Sequence, residues 1–326
     1  MFTFISRQTK SVRNVASRAP AVPFQRFHRN TPSATMPTLN NGLPIPAMGL
    51  GTYKISGADG VRTLQLAITA GYRLFDTASA YGNESTLGET LAGVDRSDVF
   101  VVSKLGPGFH RPERVEEGVR GSLTRLGLEY VDLYLMHSPV GMVFGDEGLV
   151  DDGVSPVDTW HALEECYRKG LVRSIGVSNF SEAQLGAVLE GGGVKPAVHQ
   201  FECSVGFREE RMVGMCREEG VLVMAYRPLG KPKVELKKPD YLYEGKVVEV
   251  ARELGKTPAQ VALRFLIEEG FVPIPKSSNA ERLKENLAVL DFKLDQETME
   301  RLRTSVVQHD RTATLDWLKG AKHYPF

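Results

Sequence analysis

The stretch GYRLFDTASAYGNE, residues 71–84, opens on a short apolar run, Leu74 and Phe75, and then sets Asp76, Tyr81 and Glu84 within nine residues. An apolar run that ends abruptly in a carboxylate reads as a buried strand carrying a polar side chain to its tip. The same form recurs along the chain: VFVVSK (99–104) ends in Lys104 and VDLYLMH (131–137) ends in His137. Strand-like runs lie at 48–53, 73–76, 99–104, 131–137, 174–178, 197–202, 221–226 and 271–275. They are continuously apolar, as parallel strands buried on both faces must be. Helical patterns separate them, for example at 112–126, 157–169, 209–219 and 258–269. Eight strands, each followed by a helix, predict an α/β fold of the (β/α)8 TIM-barrel type. The competing open, doubly wound sheet is weakened because no GxGxxG follows the first strand. Asn41-Gly42, between two short apolar stretches, predicts an N-terminal β-hairpin that closes the bottom of the barrel.

Chemistry in such a barrel sits at the C-terminal ends of the strands. The polar residues found there are Asp76, Lys104, His137, Ser178 and Asn179, Gln200 and Glu202, Tyr226, and Lys276 and Ser277. Each alone reads equally well as a rim salt bridge, a cap or a satisfied core histidine. Asp76, Lys104 and His137 at three successive strand ends, with Tyr81 beside them, favour catalysis. A free phenol, with a pKa near ~10, is a weak acid at neutral pH. A nearby ammonium lowers that value by stabilising the phenolate. Lys104 can supply the charge, Asp76 can hold Lys104, and His137 can orient a substrate oxygen. That set suits general acid catalysis at a carbonyl receiving a hydride. No side chain donates a hydride, so a nicotinamide cofactor is implied.

The totals set outer bounds. The chain has 326 residues, 42% hydrophobic and 25% charged, in the range of ordinary globular proteins. Its net charge of zero gives no reason to expect nucleic acid. No apolar run reaches the ~18 residues of a membrane span. Cys166, Cys203 and Cys216 form neither a disulfide framework nor a CxxC metal site, and are expected as buried thiols. Residues 1–35 carry Arg7, Lys10, Arg13, Arg18, Arg26 and Arg29 and no acid. That segment reads as a disordered mitochondrial transit leader. A solvated basic tail is the other reading, and Met36 offers a second start that would give a cytoplasmic form. The barrel is expected over 36–326.

The motifs together resemble the aldo-keto reductase family, over about residues 37–326. GYRLFDTASAYGNE is similar to its first signature, with Asp76 and Tyr81 in the positions of the catalytic pair. VVSKL and DLYLMHSP place Lys104 and His137, completing the family's tetrad. The resemblance implies that Ser178 and Asn179, in LVRSIGVSNFS, and Gln200, in VHQFE, bind the nicotinamide carboxamide. It implies that Tyr226 stacks on the ring. Thr52 and Leu229 fall among its cofactor contacts. In IPKSSNAERLKENLAVLDF, Lys276, Ser277 and Arg282 match contacts to an adenosine 2′-phosphate, and Asn286 an adenine contact. Two cations flanking a hydroxyl suit a phosphomonoester, which points to NADPH over NADH. A solvated helix start capped by Asn279 is the plainer reading of the same residues.

The implied activity is NADPH-dependent reduction of aldehydes or ketones by a monomer or weak oligomer, without metal, membrane or nucleic acid. A cofactor-binding regulatory protein on the same barrel is the alternative. A barrel hydrolase built on Asp76 and His137 leaves the cationic pair unexplained. The chain departs from the family at several points. Tyr53 and Ser138 stand where many relatives carry tryptophan, implying a substrate site open to larger or more polar carbonyls. Arg227 replaces a frequent serine and is expected either to meet the pyrophosphate or to face solvent. The lysine-rich stretch 230–240 reads as a lid over the pyrophosphate or as a solvated loop. The long loop 138–156 and the aromatic tail with Trp317, Tyr324 and Phe326 are expected at the substrate mouth.

Overall fold

Eight parallel strands pair in sequence order: β1 (Leu50–Gly51), β2 (Leu74–Asp76), β3 (Phe100–Leu105), β4 (Leu133–Met136), β5 (Ile175–Ser178), β6 (Val198–Glu202), β7 (Leu222–Tyr226) and β8 (Val272–Pro273). The computed structural model describes residues 36–146, 148–231, 240–243 and 245–326. The expected leader, 1–35, and most of the lysine-rich stretch, 232–239, lie outside the described residues. The sheet closes where Gly49 N donates to Pro273 O (3.0 Å) and Gly51 N to Pro275 O (3.1 Å). Pro273 and Pro275 accept but have no N–H to return, so β8 pairs over fewer residues than the expected 271–275.

Helices alternate with the strands: α1 (Gly57–Ala70), α2 (Glu84–Leu91), α3 (Pro112–Leu126), α4 (Pro156–Arg168), α5 (Glu182–Gly191), α6 (Glu210–Glu219), α7 (Lys246–Leu254), α8 (Pro258–Glu268) and α9 (Ala280–Leu287), with α10 (Gln296–Ser305) added after the barrel. The expectation of one helix per strand fails after β7, which is followed by both α7 and α8.

Strand parity separates two cores, because successive side chains point to opposite faces. Leu74, Phe100, Val102, Leu133, Leu135, Val198, Met224, Val272 and Ile274 fill the barrel. Their neighbours Phe75, Val101, Tyr134, Met136, Val177, Phe201 and Val223 face the helices. Counting upward by two along the inward set leads from Leu74 to Asp76, from Val102 to Lys104, from Leu135 to His137, and from Val198 to Gln200 and Glu202. The polar tips of the strands therefore share one enclosed mouth. Gly176 keeps β5 close to its neighbours: a Cβ there would lie 2.4 Å from Val198 O.

The floor of the barrel is the N-terminal turn. Leu39, Leu43 and Ile45 enter the interior cluster from below. The expected hairpin is reduced to a single antiparallel bridge, Thr38 to Pro44, around Gly42 at φ +86°. Pro44 and Pro46 stop the ladder there. Asn40 Nδ2 donates to Pro196 O (2.8 Å), and Asn41 Nδ2 to Arg173 O (2.9 Å) and Ser174 Oγ (2.8 Å), which seats the turn under β5 and β6.

Candidate active site

Lys104 lies at the centre of the mouth, with no exposed surface. Its Nζ donates to Asp76 Oδ1 (2.7 Å) and Thr77 O (2.9 Å), and reaches Tyr81 Oη at 3.5 Å. A buried ammonium is expensive unless paired and hydrogen-bonded. Burial alone would pull its pKa down, but Asp76 and Tyr81 together outweigh burial and hold it above 10.5. Lys104 is therefore a permanent cation against the phenol. Tyr81 itself is shifted upward from 10.0: burial dominates, Lys104 opposes it, and Asp76 adds to the rise. The expected lowering by Lys104 is thus present but outweighed by burial. Tyr81 keeps its proton at neutral pH and has a cation ready for the phenolate.

His137 follows the last paired residue of β4, so the expected strand end at 137 is one residue beyond the ladder. Its ring stands edge-on to Tyr81, with centroids 5.5 Å apart. Burial, followed by Lys104 and His110, lowers its pKa to about 3. The imidazole is neutral and able to donate one hydrogen bond to a substrate oxygen. Tyr53 closes the other side of Tyr81 at 5.0 Å and is 55% exposed, as a residue at a pocket entrance must be. Ser138 is buried and donates to Val140 O (3.3 Å), so its hydroxyl shapes the loop instead of standing free in the pocket.

Glu84, the second acid of the opening stretch, is not part of this site. Ser103 points outward by parity, and Ser103 Oγ donates to Glu84 Oε1 (2.5 Å) while Arg125 Nε donates to Glu84 Oε2 (2.7 Å). This is a buried tie between β3, α2 and α3.

A second layer of polar groups adjoins the first. Asn179 sits at φ +58°, a left-handed conformation that asparagine tolerates well. Its Nδ2 donates to His137 O (3.0 Å) and Ser178 Oγ (3.1 Å), and its Oδ1 accepts from Tyr226 Oη (2.7 Å). Gln200 Nε2 donates to Asp76 Oδ2 (2.7 Å). Thr52 ties the end of β1 to β2 through Asp76 O (Oγ1 at 3.0 Å), and Leu229 packs against the outer core. The structure brings Asp76, Tyr81, Lys104, His137, Ser178, Asn179, Gln200 and Tyr226 into one linked group.

Lys276, Ser277, Arg282 and Asn286 lie apart from that group, the first two after β8 and the last two on α9. Asn279 Oδ1 does cap α9 by accepting from Arg282 N (2.9 Å). The cap uses only the backbone of Arg282. The side chains of Lys276 and Arg282 are exposed and have no acidic partner among the described residues. Ser277, next to Lys276 in the chain, is buried and its hydroxyl accepts from Asn279 N (3.2 Å), and Asn286 is buried beside the Tyr72 hydroxyl. Two unpaired cations around a hydroxyl suit a phosphate, and the amide cluster at the mouth suits a carboxamide. The residues thus fit both ends of a phosphorylated nicotinamide dinucleotide.

Arg227 is exposed, as one of its two expectations had it, but it is also tied to the chain. It donates to Thr312 Oγ1 (2.8 Å) and lies 3.9 Å from Glu202, so it faces the C-terminal tail. Glu202, read from sequence only as a polar strand end, is the anchor of that tail. It is buried and accepts from Thr312 N (2.9 Å), Ala313 N (2.6 Å) and Thr312 Oγ1. The tail then packs Leu315, Leu318 and Tyr324 against Val140 and Met142 of the loop after β4. Trp317 is 60% exposed, and the Phe326 ring lies 3.7 Å from the Arg311 guanidinium.

Sequence reasoning missed Asn83 and His110. Asn83 Nδ2 donates to Thr52 O (2.7 Å) and Ile55 O (2.8 Å), fixing the β1 loop beside the site. His110 is 1% exposed, and neither ring nitrogen has a partner. Burial lowers its pKa to about 4. An Asn two residues past Tyr81 and a His six past Lys104 were the only signals. All three cysteines are free and buried, as expected, and burial raises Cys166 to about 11 and Cys216 to about 12.

Comparison with known proteins agrees with this geometry. Residues 47–306 match the aldo/keto reductase family. An NADPH-dependent D-xylose reductase of Meyerozyma guilliermondii is 37% identical over 311 residues, covering 86% of this chain and 98% of its own. The aldo-keto reductase family 1 member A1 of Rattus norvegicus is 39% identical over 288 residues, 83% of this chain and 89% of its own. The structure of an aldose reductase from Schistosoma japonicum superposes with a TM-score of 0.83 at 36% identity, covering 90% of this chain and 99% of that one. The chain belongs to the aldo/keto reductase family.

Proposed function

We propose that this chain reduces aldehydes and ketones to alcohols with NADPH, Tyr81 acting as the general acid. The observation that carries the reading is the wholly buried Lys104, held by Asp76 at 2.7 Å and set 3.5 Å from the Tyr81 hydroxyl. The bound cofactor supplies the hydride. The chain's own residues manage the proton and the charge. Neutral His137 donates to the carbonyl oxygen and holds it beside Tyr81. As negative charge grows on that oxygen, Tyr81 passes its proton across. Lys104 stabilises the phenolate as it forms, a fixed charge that needs no reorganisation at that moment. The upward shift of Tyr81 suits this order, because an alkoxide is a far stronger base than a phenolate.

Ser178, Asn179 and Gln200 would hold the carboxamide, Tyr226 the ring face, and Lys276, Ser277 and Arg282 the 2′-phosphate. The half-exposed Tyr53 and the engaged Ser138 hydroxyl support a substrate site that is wide more than polar. Residues 1–35 would direct the chain to mitochondria, on composition alone, and a start at Met36 would leave it outside them. The enzyme would act as a monomer or weak oligomer. The test is NADPH and NADH oxidation by the purified protein on a graded panel of aldehydes and ketones. Turnover of bulky carbonyls with NADPH is expected. Lys276→Ala and Arg282→Ala should each weaken NADPH about tenfold or more, by loss of a charge-assisted bond, and leave NADH unchanged. A protein that binds NADPH and reduces nothing on the panel would overturn the reading.

A further inference from the structure

Gln200 suits a cofactor contact, yet its amide nitrogen is already committed. Nε2 lies 2.7 Å from Asp76 Oδ2 and 2.9 Å from Met224 Sδ. Both residues are buried, Gln200 at 2% exposure and Met224 at none. An ionised carboxylate only accepts, so the Gln200 atom facing it must be the amide nitrogen. The other carboxylate oxygen of Asp76 is taken by Lys104 at 2.7 Å. Asp76 is thus gripped from both sides, and the orientation of the Gln200 amide follows from it.

We propose that Gln200 is a positioning residue for the catalytic pair: it holds Asp76 as an oriented carboxylate behind Lys104 and presents only its carbonyl oxygen, as an acceptor, to the nicotinamide carboxamide. The inference rests on the reductase reading for its second half and on the ligand-free geometry alone for its first. The chain Gln200–Asp76–Lys104–Tyr81 then joins cofactor recognition to the proton donor. Without the amide donor, Asp76 keeps its full charge for Lys104, and the ammonium stabilises the Tyr81 phenolate less. The ionisable groups around Asp76 are Lys104 from β3, Tyr81 on the turn after β2 with Tyr53 beside it, and His137 just past β4 with His110 behind it. Lys104 is held above its ordinary value and both histidines well below theirs, so none of them changes charge between pH 5 and pH 8.

The test compares Gln200→Leu, which removes the donor at similar volume, with Gln200→Glu, which puts a second carboxylate against Asp76. Two carboxylates this close must share a proton. In the ligand-free protein the folded pair binds that proton at a pH where an unfolded Glu has lost it. The stability of Gln200→Glu relative to Gln200→Leu is therefore complete at low pH and lost as pH rises through the pair's pKa. We expect the folding constants of the two variants to diverge by about tenfold per pH unit within that window. The kcat of Gln200→Glu should fall over the same window. That of Gln200→Leu should be about tenfold below wild type, by loss of a hydrogen bond to a charged group. A pH-independent stability gap would overturn the contact with Asp76. A Gln200→Leu enzyme with weaker NADPH binding but wild-type kcat and pH profile would reduce Gln200 to a cofactor contact. Absence of turnover in wild type would instead count against the reductase reading, while the stability gap still decides the Asp76 contact.

Discussion

Lys104 shows how much one side chain is asked to do. It is an ammonium with no exposed surface, paired to a carboxylate that is itself buried. Lys104→Met should leave Asp76 charged and unpaired, at a cost of about 3–5 kcal/mol. Denaturant unfolding would read that loss, and kcat should fall with it because the phenolate loses its counter-charge. The titration of these groups predicts the pH profile. Tyr81 is raised above 10.0, so the acid is protonated through neutrality and kcat should decline only as pH rises through that raised value. His137, lowered to about 3, is neutral throughout and should contribute no limb near pH 6.5. A steady-state kcat without a limb from pH 5 to pH 10 is the outcome that checks both. A limb near 6.5 that vanishes in His137→Gln would contradict the neutral imidazole.

At the scale of elements, parity along β3 decides which side chains face the mouth. Lys104 points into the barrel and Ser103 out of it, toward Glu84 and Arg125. Glu84→Ala should therefore cost about 2–3 kcal/mol, by stranding Ser103 Oγ and a partly buried Arg, and leave kcat intact. Parallel assays of melting and turnover test this; a loss of kcat comparable to that of Lys104→Met would place Glu84 in the site. The barrel itself was legible in the sequence because its strands are buried on both faces and read as unbroken apolar runs ending in polar residues. The grouping of Asp76, Lys104 and His137 was legible for the same reason, since each lies at or next to a strand tip, with Tyr81 on the turn after β2. The trimmed ends of β1 and β8 were not, because closure depends on which backbone groups of Pro273 and Pro275 can pair. The anchoring of Thr312 by Glu202, the capture of Arg227 by the tail, and the grip of Gln200 on Asp76 join residues from 85 to 124 positions apart, in β2, β6, the turn after β7 and the C-terminus. Such contacts follow from register and closure, which no local pattern encodes. Of the two helices after β7, α8 answers the pattern at 258–269, while α7 was hidden by the same limit, since only the three-dimensional ring of helices shows that one is supernumerary.

Among the described residues, a pH liability is built from two buried histidines, His110 and His199, and the half-buried His137. Burial holds His110 at about 4 and His137 and His199 at about 3, against 6.5 when free. Below pH 6.5 the unfolded chain binds protons that the folded chain refuses, so stability falls as pH drops toward 4. Between those limits each histidine contributes a slope of about 1.4 kcal/mol per pH unit. Urea midpoints from pH 7 to pH 4.5 should show the decline, and His199→Phe should flatten it, since that ring lies outside the catalytic mouth beside Phe201 and Cys216. The account as a whole turns on the phenol of Tyr81, and one comparison tests it most directly: NADPH-linked carbonyl reduction by wild type and Tyr81→Phe, with NADPH affinity of both measured by fluorescence titration. The account predicts equal NADPH affinity and a kcat for the variant lower by about a hundredfold or more. A Tyr81→Phe enzyme that binds NADPH and turns over at the wild-type rate would contradict it.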